Sequence, residues 1–306
     1  MSRQTFCRSA SLYLLAAFAA TTAHATDYVR NYFVDDVLLP TTNSESNSYA
    51  IDVDGDGFPE NRFGEMLAAL YGAGFDLTAA MAPAVASGSI VHLVHVQSTD
   101  AAFKNDPAAQ ASWCIGVPKA TPPLFDGTDT ASCADTSGTF VAALSGGSFT
   151  SPAPATNPNP VSLDFELAVG TSSTTIHVEN ARLSFTTSAA GDITLGQING
   201  LISHEDLLNT FLPTLSMACN DSIQNDPTSD FSGGCKSFDN GCSGSPAFAD
   251  DGMIEVCELT ESDALQSLLA PDVQVDDNGS TIDFNSVGIR FTAIAVDRVF
   301  ASGFEP

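Results

Sequence analysis

Basic side chains are scarce in this 306-residue chain: ten Lys and Arg stand against 37 Asp and Glu, a formal charge of −27. A field of that sign repels nucleic acid and anionic lipid surfaces and favours cations, so no nucleic-acid partner is expected. Tryptophan occurs once, at Trp113, which is sparse for a surface that stacks sugars. No Cys-x-x-Cys spacing occurs, which argues against a zinc ribbon. No apolar stretch reaches the length of a helical membrane span, so none is expected. The signatures of familiar catalytic sites are also missing. There is no Gly-x-Ser-x-Gly elbow, no His-Glu-x-x-His pair and no phosphate-binding glycine loop.

What is present begins with a leader. Residues 1–25, "MSRQTFCRSASLYLLAAFAATTAHA", combine Arg3 and Arg8, a short apolar core from Leu12 to Ala20, and a small-x-small site at Ala23-His24-Ala25. That pattern is a secretory signal peptide. Cys7 lies ahead of the apolar core, where it cannot serve as a lipidation cysteine. The expected localisation is therefore exported: periplasmic, cell-surface or extracellular. Six cysteines follow the leader: Cys114, Cys133, Cys219, Cys235, Cys242 and Cys257. An even number in an exported chain points to disulfides. Six cysteines allow 15 connectivities. Proximity in sequence favours Cys114 with Cys133, and two bridges among the four between residues 219 and 257.

The pattern beyond the leader predicts an α+β fold. Its body is antiparallel and β-rich, sandwich-like, with a few packed helices and disulfide staples. Residues 26–298 read as one domain and 299–306 as a short tail. "SIVHLVHVQS", "VSLDFELAVG" and "TTIHVENARLSFTTS" read as strands from their β-branched or alternating apolar residues. "TIDFNSVGIRFTAIAV" reads as a strand pair. The stretch from Asp100 to Pro160 is loop-rich, with "TFVAAL" its one clear strand. "NRFGEMLAALYGAG" and "DLTAAMAPAVASG" read as helices, the second interrupted at Pro83. Ser203 and Asp206 form a capping start for "EDLLNTFLPTLSMACNDSI".

The densest chemistry lies in "AIDVDGDGFPENRFGEML", residues 50–67. Calcium takes six to eight hard oxygen ligands, which a loop supplies from alternating carboxylates around a sharp glycine turn. Asp52, Asp54 and Asp56 fill positions one, three and five of an EF-hand-type loop, and Gly57 takes the turn at six. Phe58 at seven offers its carbonyl and Glu60 at nine its carboxylate. Phe63 stands at twelve, where the standard loop has a bidentate glutamate, and Glu65 is the candidate to fill that vacancy. A second, degenerate candidate is "ADDGMIEVCEL", with Asp250, Asp251 and Glu258 as ligands. A simple turn stapled by Cys257 accounts for it with fewer assumptions.

Catalytic fragments are thin. "GCSGSPA" resembles the nucleophile loop of trypsin-like proteases around Ser243, but Cys242 replaces the aspartate that loop requires. His92 and His95 lie three apart on a strand, so they face opposite sides and cannot share a metal. His177 and His204 read as structural. No catalytic residue is assigned.

The Asp-x-Asp-Gly-Asp-Gly core resembles type 3 thrombospondin repeats and dockerin loops. Running on through Glu60, Asn61 and Gly64, and joined to "LLAPDV" and "SVGIRFTAI" near the end, it resembles a group of uncharacterised exported proteins and lipoproteins of Gram-negative bacteria. The tail "VFASGFEP" is similar to a short ending shared by many such exported proteins. The resemblance implies export and a Ca2+ cofactor, and no established activity. The expected function is an exported calcium-binding surface or extracellular module, binding or structural, with no evident catalysis; the sequence names no protein or cell-surface partner. The alternatives are a secreted hydrolase using carboxylates or a bound metal, and a carrier holding an apolar ligand against the helix after Ser203.

Overall fold

A computed structural model describes residues 28–296, apart from 244, 250, 278 and 279. The leader, the 299–306 tail and Asp250 lie outside the described residues. The chain opens with β1 (Tyr28–Leu38) and three helices, α1 (Asn43–Tyr49), α2 (Arg62–Gly72) and α3 (Leu77–Ser87). Strands follow: β2 (His92–Ser98), β3 (Asn105–Gly116), β4 (Cys133–Thr136), β5 (Phe140–Ser145) and β6 (Ser148–Thr150). After a 3-10 turn at Pro154–Thr156 come β7 (Val161–Val169), β8 (Ser172–Thr187) and β9 (Ile193–Ser203). α4 (His204–Asp206) runs through a π-helical stretch at Leu207–Phe211 into α5 (Leu212–Asn225). The remainder is α6 (Asp230–Lys236), β10 (Asn240–Cys242), β11 (Ser245–Ala249), α7 (Val256–Glu261), α8 (Asp263–Leu269), β12 (Val273–Asp277) and β13 (Ser280–Val296).

The expected antiparallel, β-rich α+β body is present, and its sheet closes on itself. Neighbouring strands run β1-β2-β3-β5-β6-β8-β9-β13, and β13 pairs back to β1 from Asn31↔Val296 to Leu38↔Arg290. The result is an eight-stranded antiparallel barrel, with β4, β7 and β12 attached at its rims. Closure rests on β13, which is one 17-residue strand rather than the expected pair. No turn interrupts it because Gly288, midway along, stays in register opposite Asn199. β3, with β4 and β6, also departs from the loop-rich reading of the stretch from Asp100 to Pro160. The 12 residues of β3 begin Asn-Asp-Pro and include three alanines, so they carry little strand propensity, yet they bury Trp113 and pair on both sides.

An eight-stranded barrel is just wide enough for side chains to fill it. Here aromatic rings from different strands meet: Tyr32 with Phe185 at 6.3 Å, Phe149 stacked on Phe185 at 5.0 Å, Trp113 against Phe291 at 5.2 Å. Gly196 makes room for them. It lies opposite Phe291 on one side and Phe185 on the other, and a Cβ there would fall 2.3 Å from the Phe291 ring. Gly196→Ala is therefore expected to cost about 1–3 kcal/mol by overpacking. Adding Phe291→Leu should recover part of that loss in urea titrations, whereas strictly additive losses would show that the ring simply swings aside.

The apolar faces of the helices join the same core. Phe63, Met66 and Leu70 of α2, Met81 and Val85 of α3, and Leu212 and Leu215 of α5 belong to one cluster with Tyr32, Trp113 and Phe291. α3 continues through Pro83 instead of breaking there. In α5, Pro213 lacks the N–H of a regular helix, and the π-helical turn just before it absorbs the mismatch. Three disulfides hold the periphery: Cys114–Cys133, Cys219–Cys235 and Cys242–Cys257, with Cα separations of 5.7, 5.4 and 5.7 Å. The first pins the 117–132 loop over a small outer cluster of Phe33, Val91, Leu93 and Val296.

Candidate metal site

The aspartate loop joins α1 to α2 and is closed at its neck by an Ile51–Glu60 bridge, with Glu60 N–H donating to Ile51 O at 3.0 Å. Within it, side-chain carboxylates organise the backbone. Asp52 accepts from the N–H of Gly55 at 2.6 Å and of Gly57 at 3.1 Å. Asp54 accepts from Asp56 N–H and Asp56 from Phe58 N–H, at 3.0 and 2.8 Å. Gly55 and Gly57 adopt φ of +89° and +97°, the left-handed turns that the loop's tight curl needs.

Asp52, Asp54, Asp56 and Glu60 each bring a carboxylate oxygen to within 4.8 Å of the others. Among the described residues this is the one group of three or more acidic, histidine or cysteine side chains so placed. It forms an acidic cluster able to hold a metal ion. Phe58 is 70% exposed, and its carbonyl accepts no hydrogen bond among the described residues, which leaves it available as a fifth oxygen. Glu65 is placed elsewhere: it sits in the first turn of α2 and forms an ion pair with Arg62 at 2.8 Å. Phe63, at the vacant closing position, is 1% exposed and packs edge-on against Phe211 at 5.4 Å. The position that closes an EF-hand loop with a ligand is spent here on anchoring the helix in the core.

Burial pushes the Glu60 carboxyl up to about 7, reinforced by the charges of Asp54, Asp56 and Asp52 and offset by Val53 N–H. In cation-free protein the folded state thus holds the Glu60 proton more tightly than the unfolded chain does. Its stabilising contribution is complete below the ordinary carboxylate value near 4.5 and is lost as pH rises towards 7. Chelator-treated wild type should accordingly lose stability relative to Glu60→Gln between those two pH values. Parallel pH profiles of urea midpoint for the two proteins would refute this.

The loop is held to the barrel by Asn61. Its Oδ1 accepts from Gly64 N–H at 3.0 Å and Gly288 N–H at 2.8 Å, and its Nδ2 donates to Ser46 O and Gly288 O at 3.2 Å each. One buried side chain therefore caps α2, ties it to α1 and docks both on β13. A Cβ on Gly64 would lie 2.2 Å from Asn61, and one on Gly288 would lie 2.4 Å from Tyr49 O. The Asn-x-x-Gly that follows the acidic loop is thus a docking clip, a role that sequence spacing alone did not reveal.

Of the second candidate group, Asp250 lies outside the described residues, and Asp251 and Glu258 are engaged separately. Glu258 is 3% exposed and committed to backbone, accepting from Gly241 N–H at 2.6 Å and Glu255 N–H at 3.0 Å. Asp251 is exposed and accepts from Met253 N–H at 2.8 Å. Ser243, the trypsin-like fragment, donates its N–H to Glu261 at 2.6 Å and lines a cavity walled by Glu258 and Glu261. His92 stacks on Phe165 at 4.7 Å and accepts from Glu166 N–H, and burial lowers its pKa to about 3. His95 contacts Asn31 at 2.7 Å, and burial lowers its pKa to about 4. Both imidazoles are neutral structural groups.

No family model matches the chain, and neither curated proteins nor solved structures show similarity to it.

Proposed function

We propose that the protein is an exported calcium-binding module, in which one Ca2+ held by Asp52, Asp54, Asp56, Glu60 and the Phe58 carbonyl fixes the α1–α2 loop against the barrel. The observation that carries this reading is the convergence of four carboxylates with no neutralising base beside them among the described residues. The charges acting on Glu60 are all those of the neighbouring aspartates. Hard oxygens alone, with no nitrogen or sulfur among them, favour calcium or magnesium over transition metals. Carbonyl and carboxylate ligands on a flexible, glycine-turned loop suit calcium's larger and less regular shell better than the octahedron of magnesium.

Three disulfides indicate an oxidising compartment, and the described helices include none long and apolar enough to cross a membrane. Both agree with export to the periplasm, cell surface or medium. The interlocked rings inside the barrel and the filled face of α5 weigh against a carrier of apolar ligands.

Calcium at about 100 times its Kd stabilises by about 2.7 kcal/mol. For a chain of this size that is a rise of about 5–10 °C in thermal midpoint over chelator-treated protein. Asp54→Asn should abolish most of the rise, and calorimetry should count one ion per chain. An unchanged midpoint in wild type, or an equal rise in Asp54→Asn, would sink the reading.

A further inference from the structure

We propose that the cavity at the free edge of β7 is an acyl-transfer site, with Ser162 as nucleophile, His177 as its base and Asp164 as the residue that positions the base. Asp164 and His177 face each other across the β7–β8 hairpin, six residues on either side of the Gly170–Thr171 turn. Asp164 Oδ1 lies 2.6 Å from His177 Nδ1, which fixes the ring and leaves Nε2 turned away from the carboxylate. An imidazole held at Nδ1 by a carboxylate, with Nε2 free beside a hydroxyl, is the arrangement that activates a serine.

Ser162 offers a hydroxyl on the wall of the same cavity. It precedes Asp164 by two residues on the same strand, so both side chains lie on the face that His177 occupies. The register slips there: Val161 pairs with Ala181 and Leu163 with Val178, so Ser162 stands opposite the two bulged residues Glu179 and Asn180. Asn180 adopts φ +47°, and bulges of this kind re-aim side chains beside functional sites. The Ser162 hydroxyl makes no hydrogen bond among the described residues, to His177 included, so proton transfer requires its side chain to turn to the rotamer that faces Nε2. Ser137, by contrast, is committed, accepting from Trp113 N–H and donating to Gly138 O.

Ser162, Asp164 and His177 line one cavity of about 140 Å³, shared with Trp113, Ser137 and Gly138. Glu166 N–H donates to His92 across the outer edge of β7, so alternate N–H groups point away from β8. Asp164 N–H has that orientation and is a donor for a developing oxyanion. The volume admits an acetyl-sized group and leaves the alcohol in solvent, so the substrate class is a short-chain carboxylic ester. Ser162 Oγ bonds to the carbonyl carbon while its proton passes to His177 Nε2. The C–O bond to the alcohol then breaks, and the alcohol leaves with that proton. Water repeats the sequence on the acyl-serine, releasing the acid and restoring both side chains.

Diisopropyl fluorophosphate tests this directly, since its capture forms an Oγ–P bond and expels fluoride. Peptide mapping should find one adduct, on Ser162. Labelling should fall by about 100-fold or more in His177→Gln, with the thermal midpoint unchanged. Asp164→Asn should slow labelling and Asp164→Glu should restore part of the rate, a rescue that a merely structural role would not produce. 4-Nitrophenyl acetate should be hydrolysed faster than the octanoate. No adduct, an adduct on another residue, wild-type labelling in His177→Gln, or preference for octanoate would each overturn the proposal.

Discussion

Reduction of the three disulfides is expected to lower the thermal midpoint by about 20 °C or more. Each bridge closes a short loop, with sequence separations of 19, 16 and 15 residues. In the chain-entropy model each such loop contributes about 3 kcal/mol. No loop encloses another, so the three contributions add. Their sum of about 9 kcal/mol is comparable with the whole net stability of an ordinary protein, about 5–15 kcal/mol. At about 2–4 °C per kcal/mol the displacement is large. Scans by near-ultraviolet circular dichroism with and without dithiothreitol measure it, with quenched thiols counted to show that reduction is complete. A fully reduced protein melting within about 5 °C of the oxidised one would mean that the core carries the fold unaided. Cys219 and Cys235 are both fully buried between α5 and α6, so Cys219→Ala with Cys235→Ala should account for the largest single share.

Asn61→Ala is expected to be the most damaging single polar substitution at the loop, by about 4 kcal/mol or about 8–16 °C in midpoint. It strands two N–H groups, of Gly64 and Gly288, and two carbonyls, of Ser46 and Gly288, in a site where Asn61 is 4% exposed. Each unsatisfied buried group costs about 1–3 kcal/mol before relaxation. Asn61→Asp is isosteric and should do no better, because it sets a carboxylate oxygen against the Ser46 and Gly288 carbonyls. Asn61→Ala should also weaken calcium binding in titration calorimetry, since the loop's lower stem would no longer be docked on β13. A variant within about 1 kcal/mol of wild type in urea would show that water replaces the clip.

Much of this was legible beforehand, for identifiable reasons. The alternation in "VSLDFELAVG" and "TTIHVENARLSFTTS" encodes one buried face each, and both became strands. The aspartate spacing encodes the loop because the carboxylates there accept from the loop's own backbone N–H groups. Phe63 occupies a ligand position by spacing but a core position by burial, and spacing alone does not separate the two. β3 is not legible because Asn, Asp, Pro and Ala disfavour strands, and its pairing is supplied by β2 and β5 on either side. Asp164 and His177 escaped notice as a pair, although the Gly170–Thr171 turn was there to fold them together. Barrel closure could not be read at all. It depends on Asn31 meeting Val296, a pairing that no local pattern announces.

That same pairing sets a timetable. Because β13 is flanked by β9 and β1, the cylinder has a gap until residues near 296 exist, and every shorter nascent chain presents two bare ladders of N–H and C=O groups. Such ladders recruit other chains, and contacts spanning nearly the whole sequence form slowly. The barrel therefore cannot close before β13 has been made. Until β13 is in place, the open edges of β1 and β9 are the surfaces through which two copies could pair.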